Sequence, residues 1–149
     1  MFERLILNKN YNNLRTNKNQ FGFKRNSSCK LALFCIRETI LKYIENNSTC
    51  YLISLDAEKA FDKLWRPGIF YKLIERFNRQ DWIVLKQYYD ISRACVENNE
   101  EKTQLFKVIN GVKQGGIISP FLFNIYIDEL IVSCLSLNLG SKLCEFNKV

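Results

Sequence analysis

The chain has 149 residues, 47% of them apolar and 25% charged, with a formal net charge of +7 and a pI of about 9.1. That is long enough for one domain with a real core and too apolar for a disordered segment. It contains no histidine, which excludes a Ser-His-Asp triad, a Cys-His pair and an H-E-x-x-H metal site, while the excess of Lys and Arg favours polyanionic partners.

The N-terminal run Met1-Phe2-Glu3-Arg4-Leu5-Ile6-Leu7 carries an acid early, and its apolar stretch is too short for a signal peptide. Residues 8–20 are polar and rich in Asn and Lys, and read as a surface loop. Phe21-Gly22-Phe23 then places two aromatics beside Lys24 and Arg25. They either form a binding surface or pin the loop to the core. Ser27 or Ser28 suits the N-cap of a helix running to about Asn46. Leu33, Ile36, Ile40 and Ile44 recur along it at helical spacing and predict a core helix. After the turn Asn46-Asn47-Ser48-Thr49, the apolar run over 50–55 has the length and flanks of a buried strand that ends at Asp56.

Pro67 is placed to open a helix over 66–79, and a second helix is expected over 81–92 with Trp82, Leu85 and Tyr89 on one side. Residues 93–97 and 103–109 read as two strands around Asn98-Asn99-Glu100-Glu101, a hairpin. A Gly-punctuated loop over 111–116 follows, and Ser119-Pro120 reads as N-cap and first residue of a helix over 120–137. The most apolar stretch, 121–137, is broken by Asn124, Asp128 and Glu129, so no membrane span or membrane partner is expected. The order of elements predicts a mixed α/β (α+β) domain. The six cysteines, Cys29, Cys35, Cys50, Cys95, Cys134 and Cys144, include no C-x-x-C pair and read as reduced core residues of an intracellular protein.

Two constellations carry chemistry. In Leu55-Asp56-Ala57-Glu58-Lys59-Ala60-Phe61-Asp62, a strand-end Asp is placed to hold Mg²⁺, which prefers oxygen ligands; a strand-end Asp is also an ordinary turn or capping residue. In Gly111-Val112-Lys113-Gln114-Gly115-Gly116-Ile117-Ile118-Ser119-Pro120-Phe121-Leu122-Phe123-Asn124, glycines allow close backbone approach, Lys113 adds charge, and Gln114 can donate and accept. The loop feeds a helix N-terminus, where partial positive charge suits phosphate. An ordinary loop before a capped helix would look the same.

Together these segments resemble the reverse transcriptases of LINE-type (non-LTR) retrotransposons. Gln20-Phe21-Gly22-Phe23 is similar to the Q-x-G-F segment at the end of the family's fingers. Leu55-Asp56 with Lys59-Ala60-Phe61-Asp62 is similar to its first palm motif, and Gly111-Val112 with Gln114-Gly115, Ser119-Pro120 and Leu122-Phe123 to its second. The resemblance covers about residues 20–130 and implies a partial right-hand polymerase, fingers over 1–49 and palm over 50–149. It implies that Asp56 binds catalytic Mg²⁺ (or Mn²⁺) with the Ala57 carbonyl assisting. Phe61 would underlie the incoming sugar and exclude a 2′-hydroxyl, and Gln114 and Gly115 would lie against the nascent base pair. Asp62 would be structural. Lys24, Arg25, Lys59 and Lys113 would line the path of an RNA template and DNA primer, with deoxynucleoside triphosphates as substrates.

The family's third palm motif, a Y-x-D-D hairpin with the other metal-binding carboxylates, has no counterpart in the sequence. Tyr126-Ile127-Asp128-Glu129 resembles it superficially but continues the helix from Pro120. The basic R-P-I segment of the fingers is not found either. The expectation is therefore a piece of a polymerase, with little activity alone and apolar residues Val132, Leu135, Leu137 and Leu139 awaiting the remainder. A nucleic-acid-binding remnant, a group II intron maturase-type enzyme and a generic α/β domain are the alternatives. The compartment is expected to be nucleus or cytoplasm.

Overall fold

A computed structural model describes residues 1–99 and 101–137, so Glu100, Leu139 and Cys144 of the expectations above lie outside the described residues. The elements are α1 (Phe2–Asn10), a 3₁₀ turn (Tyr11–Leu14), α2 (Cys29–Glu45), α3 (Arg66–Leu73), α4 (Arg79–Asp90), β1 (Arg93–Ala94), β2 (Glu97–Asn98), β3 (Glu101–Lys102), β4 (Phe106–Lys107) and α5 (Ser119–Ser136). Mixed helix and sheet is what the order of patterns predicts. The chain forms two compact units, Met1–Arg15 with Glu58–Tyr126, and Thr16–Ala57 with the described part of Ile127–Val149.

The first unit holds the hydrophobic core. Leu64, Ile69, Leu73, Leu85, Tyr89, Ile118, Leu122 and Ile125 are almost wholly enclosed, joined by Ile6, Leu7 and Leu14 from the N-terminal segment. Each such aliphatic or aromatic side chain contributes about 1.5–3 kcal/mol on burial. Pro67 lies in the first turn of α3, as expected. The helix stops at Leu73 rather than 79, because Ile74 N–H turns to Tyr71 O (3.1 Å) and Arg76 N–H to Leu73 O (3.1 Å), tightening the chain into i→i+3 turns. Asn78 then caps α4 by accepting from Asp81 N–H at 2.9 Å, which starts that helix two residues before the expected Asp81. Leu85 and Tyr89 are buried and Trp82 half-buried, as the spacing predicts.

The hairpin is two short antiparallel ladders rather than two continuous strands. β1 pairs with β4 through Arg93↔Lys107 and Ala94↔Phe106, and β2 with β3 through Glu97↔Lys102 and Asn98↔Glu101. Between them Cys95 and Val96 face Thr103, Gln104 and Leu105, a one-residue mismatch that breaks the ladder. Thr103 bridges the break: its N–H reaches Val96 O (3.0 Å) and its hydroxyl accepts from Val96 N–H (2.9 Å).

In the second unit, Ser28 Oγ accepts from Leu31 N–H at 3.2 Å and starts α2 where the sequence places it. The helix is not a core helix, however: none of its residues is buried, and Leu33, Phe34 and Ile44 are exposed. Its apolar positions are patterned for a cover that the described residues do not provide. Residues 50–55 are not a strand either. They are without regular structure, with Leu55 95% exposed, because an extended segment becomes a strand only beside a partner and none lies beside it among the described residues. Cys29, Cys95 and Cys134 are exposed and Cys35 and Cys50 half-buried, so these cysteines are not core residues. Two of them belong to the uncovered α2 and one to the uncovered end of α5.

Candidate nucleotide-binding loop and its anchors

The segment after Asp56 and the glycine loop meet within the first unit. Val112 N–H donates to Phe61 O (2.9 Å) and Gly111 N–H to Leu64 O (2.8 Å). Gln114 Nε2 donates to Asp62 Oδ1 at 2.8 Å. The glycine at 111 is required twice over. Its φ is +76°, and a Cβ there would stand 2.6 Å from Asp62 O and 2.8 Å from Phe61 O. Phe61 stacks on Phe123 with ring centroids 5.2 Å apart and planes 22° apart, so both motif segments also share an aromatic pair.

Arg66 fastens the loop from below. Buried in the core, its Nε donates to Gly111 O (2.7 Å) and its Nη1 to Tyr89 O (3.0 Å) and to Val108 O. Its guanidinium also lies 5.1 Å from the Tyr89 ring centroid. Burial lowers its pKa from the ordinary value, with Tyr89 and Asp90 opposing the shift. A guanidinium stays charged regardless, and here it serves three carbonyls.

The far end of the loop is held by α1. Glu3 is buried, accepts from the Tyr88 hydroxyl at 2.8 Å and faces Ile118 N–H at 3.4 Å, just before α5 begins. The electropositive end of α5 is thus met by a carboxylate of the chain itself. Lys113 Nζ lies 3.5 Å from the centroid of the Tyr88 ring. Burial lowers the Lys113 pKa, an effect Glu3 opposes. The Tyr88 pKa is raised to about 12 by burial and by the bond to Glu3. Ser119 Oγ donates to Lys113 O (2.7 Å), closing the loop on itself.

Among residues named from the sequence, Phe61, Lys59, Lys113, Gln114 and Gly115 belong to the first unit. Lys59 lies in a turn with φ +52°, its carbonyl accepting from Asp62 and Lys63 N–H, and Gly115 has φ +77°. Lys24, Arg25, Asp56 and Ala57 belong to the second. There Lys24 is half-buried and donates to Thr16 O (3.0 Å) and to Asn17 O, while Arg25 is exposed. Asp128 lies inside α5 and accepts from Gln20 Nε2 and Asn17 N–H, both at 2.7 Å, as a helical residue rather than part of a hairpin. Glu3, Arg66 and Tyr88 were not legible as site residues, since each acts through a partner far away in the chain.

The family comparison agrees with the motifs. Residues 2–146 match the model of the reverse transcriptase (RNA-dependent DNA polymerase) family, and the chain belongs to that family. It is 28% identical over 138 residues to the RNA-directed DNA polymerase from mobile element jockey of Drosophila melanogaster, covering 87% of this chain and 15% of that protein. It is 27% identical over 135 residues to the probable RNA-directed DNA polymerase from transposon BS of the same fly, with the same coverage. Over 86 residues, 56% of the chain and 14% of the relative, it is 34% identical to the Pol polyprotein from type-1 retrotransposable element R2 of Popillia japonica. The non-LTR retrotransposon resemblance is thereby borne out, and the chain spans about 15% of the length of the first two relatives.

Reverse transcriptases generally use a divalent metal ion. Such an ion needs several oxygen donors. Among the described residues no group of three or more His, Cys, Asp and Glu could hold one. Asp56, exposed on its irregular segment, is one carboxylate and does not make a metal centre by itself. Among the described residues no helix is long and apolar enough to cross a membrane.

Proposed function

We propose that the chain is a fingers and palm portion of a right-hand RNA-directed DNA polymerase, in which Asp56 and the Ala57 carbonyl provide part of a Mg²⁺ (or Mn²⁺) site. Residues 1–49 would belong to the fingers and 50–149 to the palm. The observation that carries the reading is the bond between Gln114 and Asp62, which joins the two motif segments of the resemblance. Phe61, fixed against Phe123, would set the floor under an incoming deoxynucleotide, and Gln114 and Gly115 would flank the new base pair. Exposed Arg25 and Lys59 suit the phosphates of an RNA template and DNA primer. Lys24 and Lys113, engaged with carbonyls and an aromatic ring, would act through their field. The other carboxylates and the rest of the polymerase would have to be supplied from beyond the described residues, in the nucleus or cytoplasm.

The test is primer extension on an RNA template by the 149-residue chain, run with Mg²⁺, deoxynucleotides and an Asp56→Asn control, beside binding of the same RNA–DNA duplex at several salt concentrations. The expected result is salt-sensitive binding without extension, since binding rests on phosphate contacts and chemistry on a complete carboxylate set. Extension abolished by Asp56→Asn would show that the chain carries its own second carboxylate. Absence of binding at low salt would sink the polymerase reading for this chain.

A further inference from the structure

An amide side chain carries a donor and an acceptor on atoms of nearly the same shape, and its neighbours decide which way it faces. An ionised carboxylate only accepts. Asp62 therefore faces Gln114 Nε2, at 2.8 Å, because Oε1 in that place would set acceptor against acceptor. The loop backbone on either side is fixed: Gly111 by Leu64 O, Arg66 and the wall of Asp62, and Lys113 O by Ser119 Oγ. Both side chains of the pair are exposed, so the bond adds little to folding. Its effect is on direction.

We propose that Asp62 is a positioning residue that locks the Gln114 amide with Oε1 turned away from it, so that the loop offers a hydrogen-bond acceptor to a donor on the nucleic acid. This rests on the polymerase reading above and adds the chemistry of the group recognised. A phosphate is excluded, since it too only accepts. Outside the major groove, a primer terminus ending in guanine carries two such donors: the exocyclic amino group of the base and the terminal sugar hydroxyl.

The test has two parts. In ¹⁵N-labelled chain, the side-chain amide signals of Gln114, assigned by their loss in Gln114→Glu, are compared between wild type and Asp62→Ala at one pH. They are expected to lie at a different position and to exchange with solvent more slowly in wild type than in Asp62→Ala, which has no acceptor for the amide. Signals identical in both proteins would overturn the clasp. Binding is then compared for RNA–DNA duplexes ending in guanine, in hypoxanthine, which lacks the amino group, or in a 3′-deoxy sugar. Wild type is expected to lose roughly three- to tenfold in affinity on one of the two replacements, the size of one hydrogen bond. Asp62→Asn, which can both donate and accept, and Asp62→Ala, which frees the amide, should lose that preference while melting at the wild-type temperature. Equal discrimination by wild type and variants would overturn the proposal, as would a wild type that binds all three duplexes alike. A chain that binds no duplex refutes the polymerase reading and the recognised donor with it, and the clasp is then decided by the amide signals.

Discussion

Gly111 lies so close to Asp62 that a Cβ at 111 would be 2.6 Å from the Asp62 carbonyl oxygen. Gly111→Ala combines this clash with a φ of +76° and is expected to cost roughly 3 kcal/mol or more. Gly115→Ala shares the positive φ, at +77°, but a Cβ there meets nothing within 4 Å, so about 1 kcal/mol is expected. Urea unfolding of the two variants separates them. Equal losses would mean that the contact with Asp62 is not made.

Arg66 donates to three backbone carbonyls. Arg66→Ala leaves Gly111, Val108 and Tyr89 oxygens unserved beside a cavity, and about 3–5 kcal/mol should be lost. Arg66→Lys keeps the charge but not the planar fork, and should recover only part of it. Full recovery by lysine in denaturant melts would show that charge alone matters.

Acid stability should depend on Asp81. Its carboxylate is buried, which raises its pKa, but bonds from Lys9 (2.8 Å), Asn10 (3.0 Å) and Asn78 (2.7 Å) and the charge of Lys9 outweigh burial and leave it below the usual value. A depressed pKa gives stability that is complete above the unfolded value of about 4 and is lost as pH falls through the folded one. Asp81→Asn should therefore be less stable at pH 7, and the gap should close on acidification. A constant gap down to pH 2 would contradict this.

At the alkaline end the sign reverses. Tyr88 is held protonated up to about pH 12 by burial and by Glu3, against an ordinary value of 10.0. Its contribution is complete below pH 10 and fades as pH rises toward 12. Tyr88→Phe should flatten that part of the melting profile, and absorbance titration should show one late phenol missing. An unchanged titration would place Tyr88 among the ordinary tyrosines.

Lys59 adopts φ +52° in its turn, a conformation a glycine takes without strain. Lys59→Gly should stabilise the turn by up to about 1 kcal/mol. If Lys59 serves phosphate, the same variant should bind an RNA–DNA duplex with a salt slope reduced by about one. Stabilisation with an unchanged slope would leave Lys59 with no role in binding.

Many local signals are legible in the sequence, but the polar run over 8–20 reads as a surface loop while α1 continues to Asn10, a 3₁₀ turn follows over Tyr11–Leu14, and Asn10, Leu14 and Gln20 are buried. Ser28 starts α2, Pro67 lies in the first turn of α3, and the hairpin, glycine loop and final helix fall where turn residues and periodicity place them. Burial was not legible. The apolar stripe of α2 and the run over 50–55 look like core because pattern reports what a segment could bury, not whether a cover is near. At the loop, glycine and glutamine were readable by type. The acid that meets α5 was not, because Glu3 and Ile118 are separated by most of the unit's sequence.

The glycine loop also behaves as a ruler. Its first residue is tied to Leu64 and Arg66, its middle to Asp62, and its end to Glu3 and Ser119, which reaches back to Lys113. With so many fixed points, the number of residues between Gly111 and Ser119 is a dimension of the unit. A single insertion there would put Gln114 or Ser119 out of reach of its partner, whereas one just after β2, beside the exposed Asn99, would leave the core as it was.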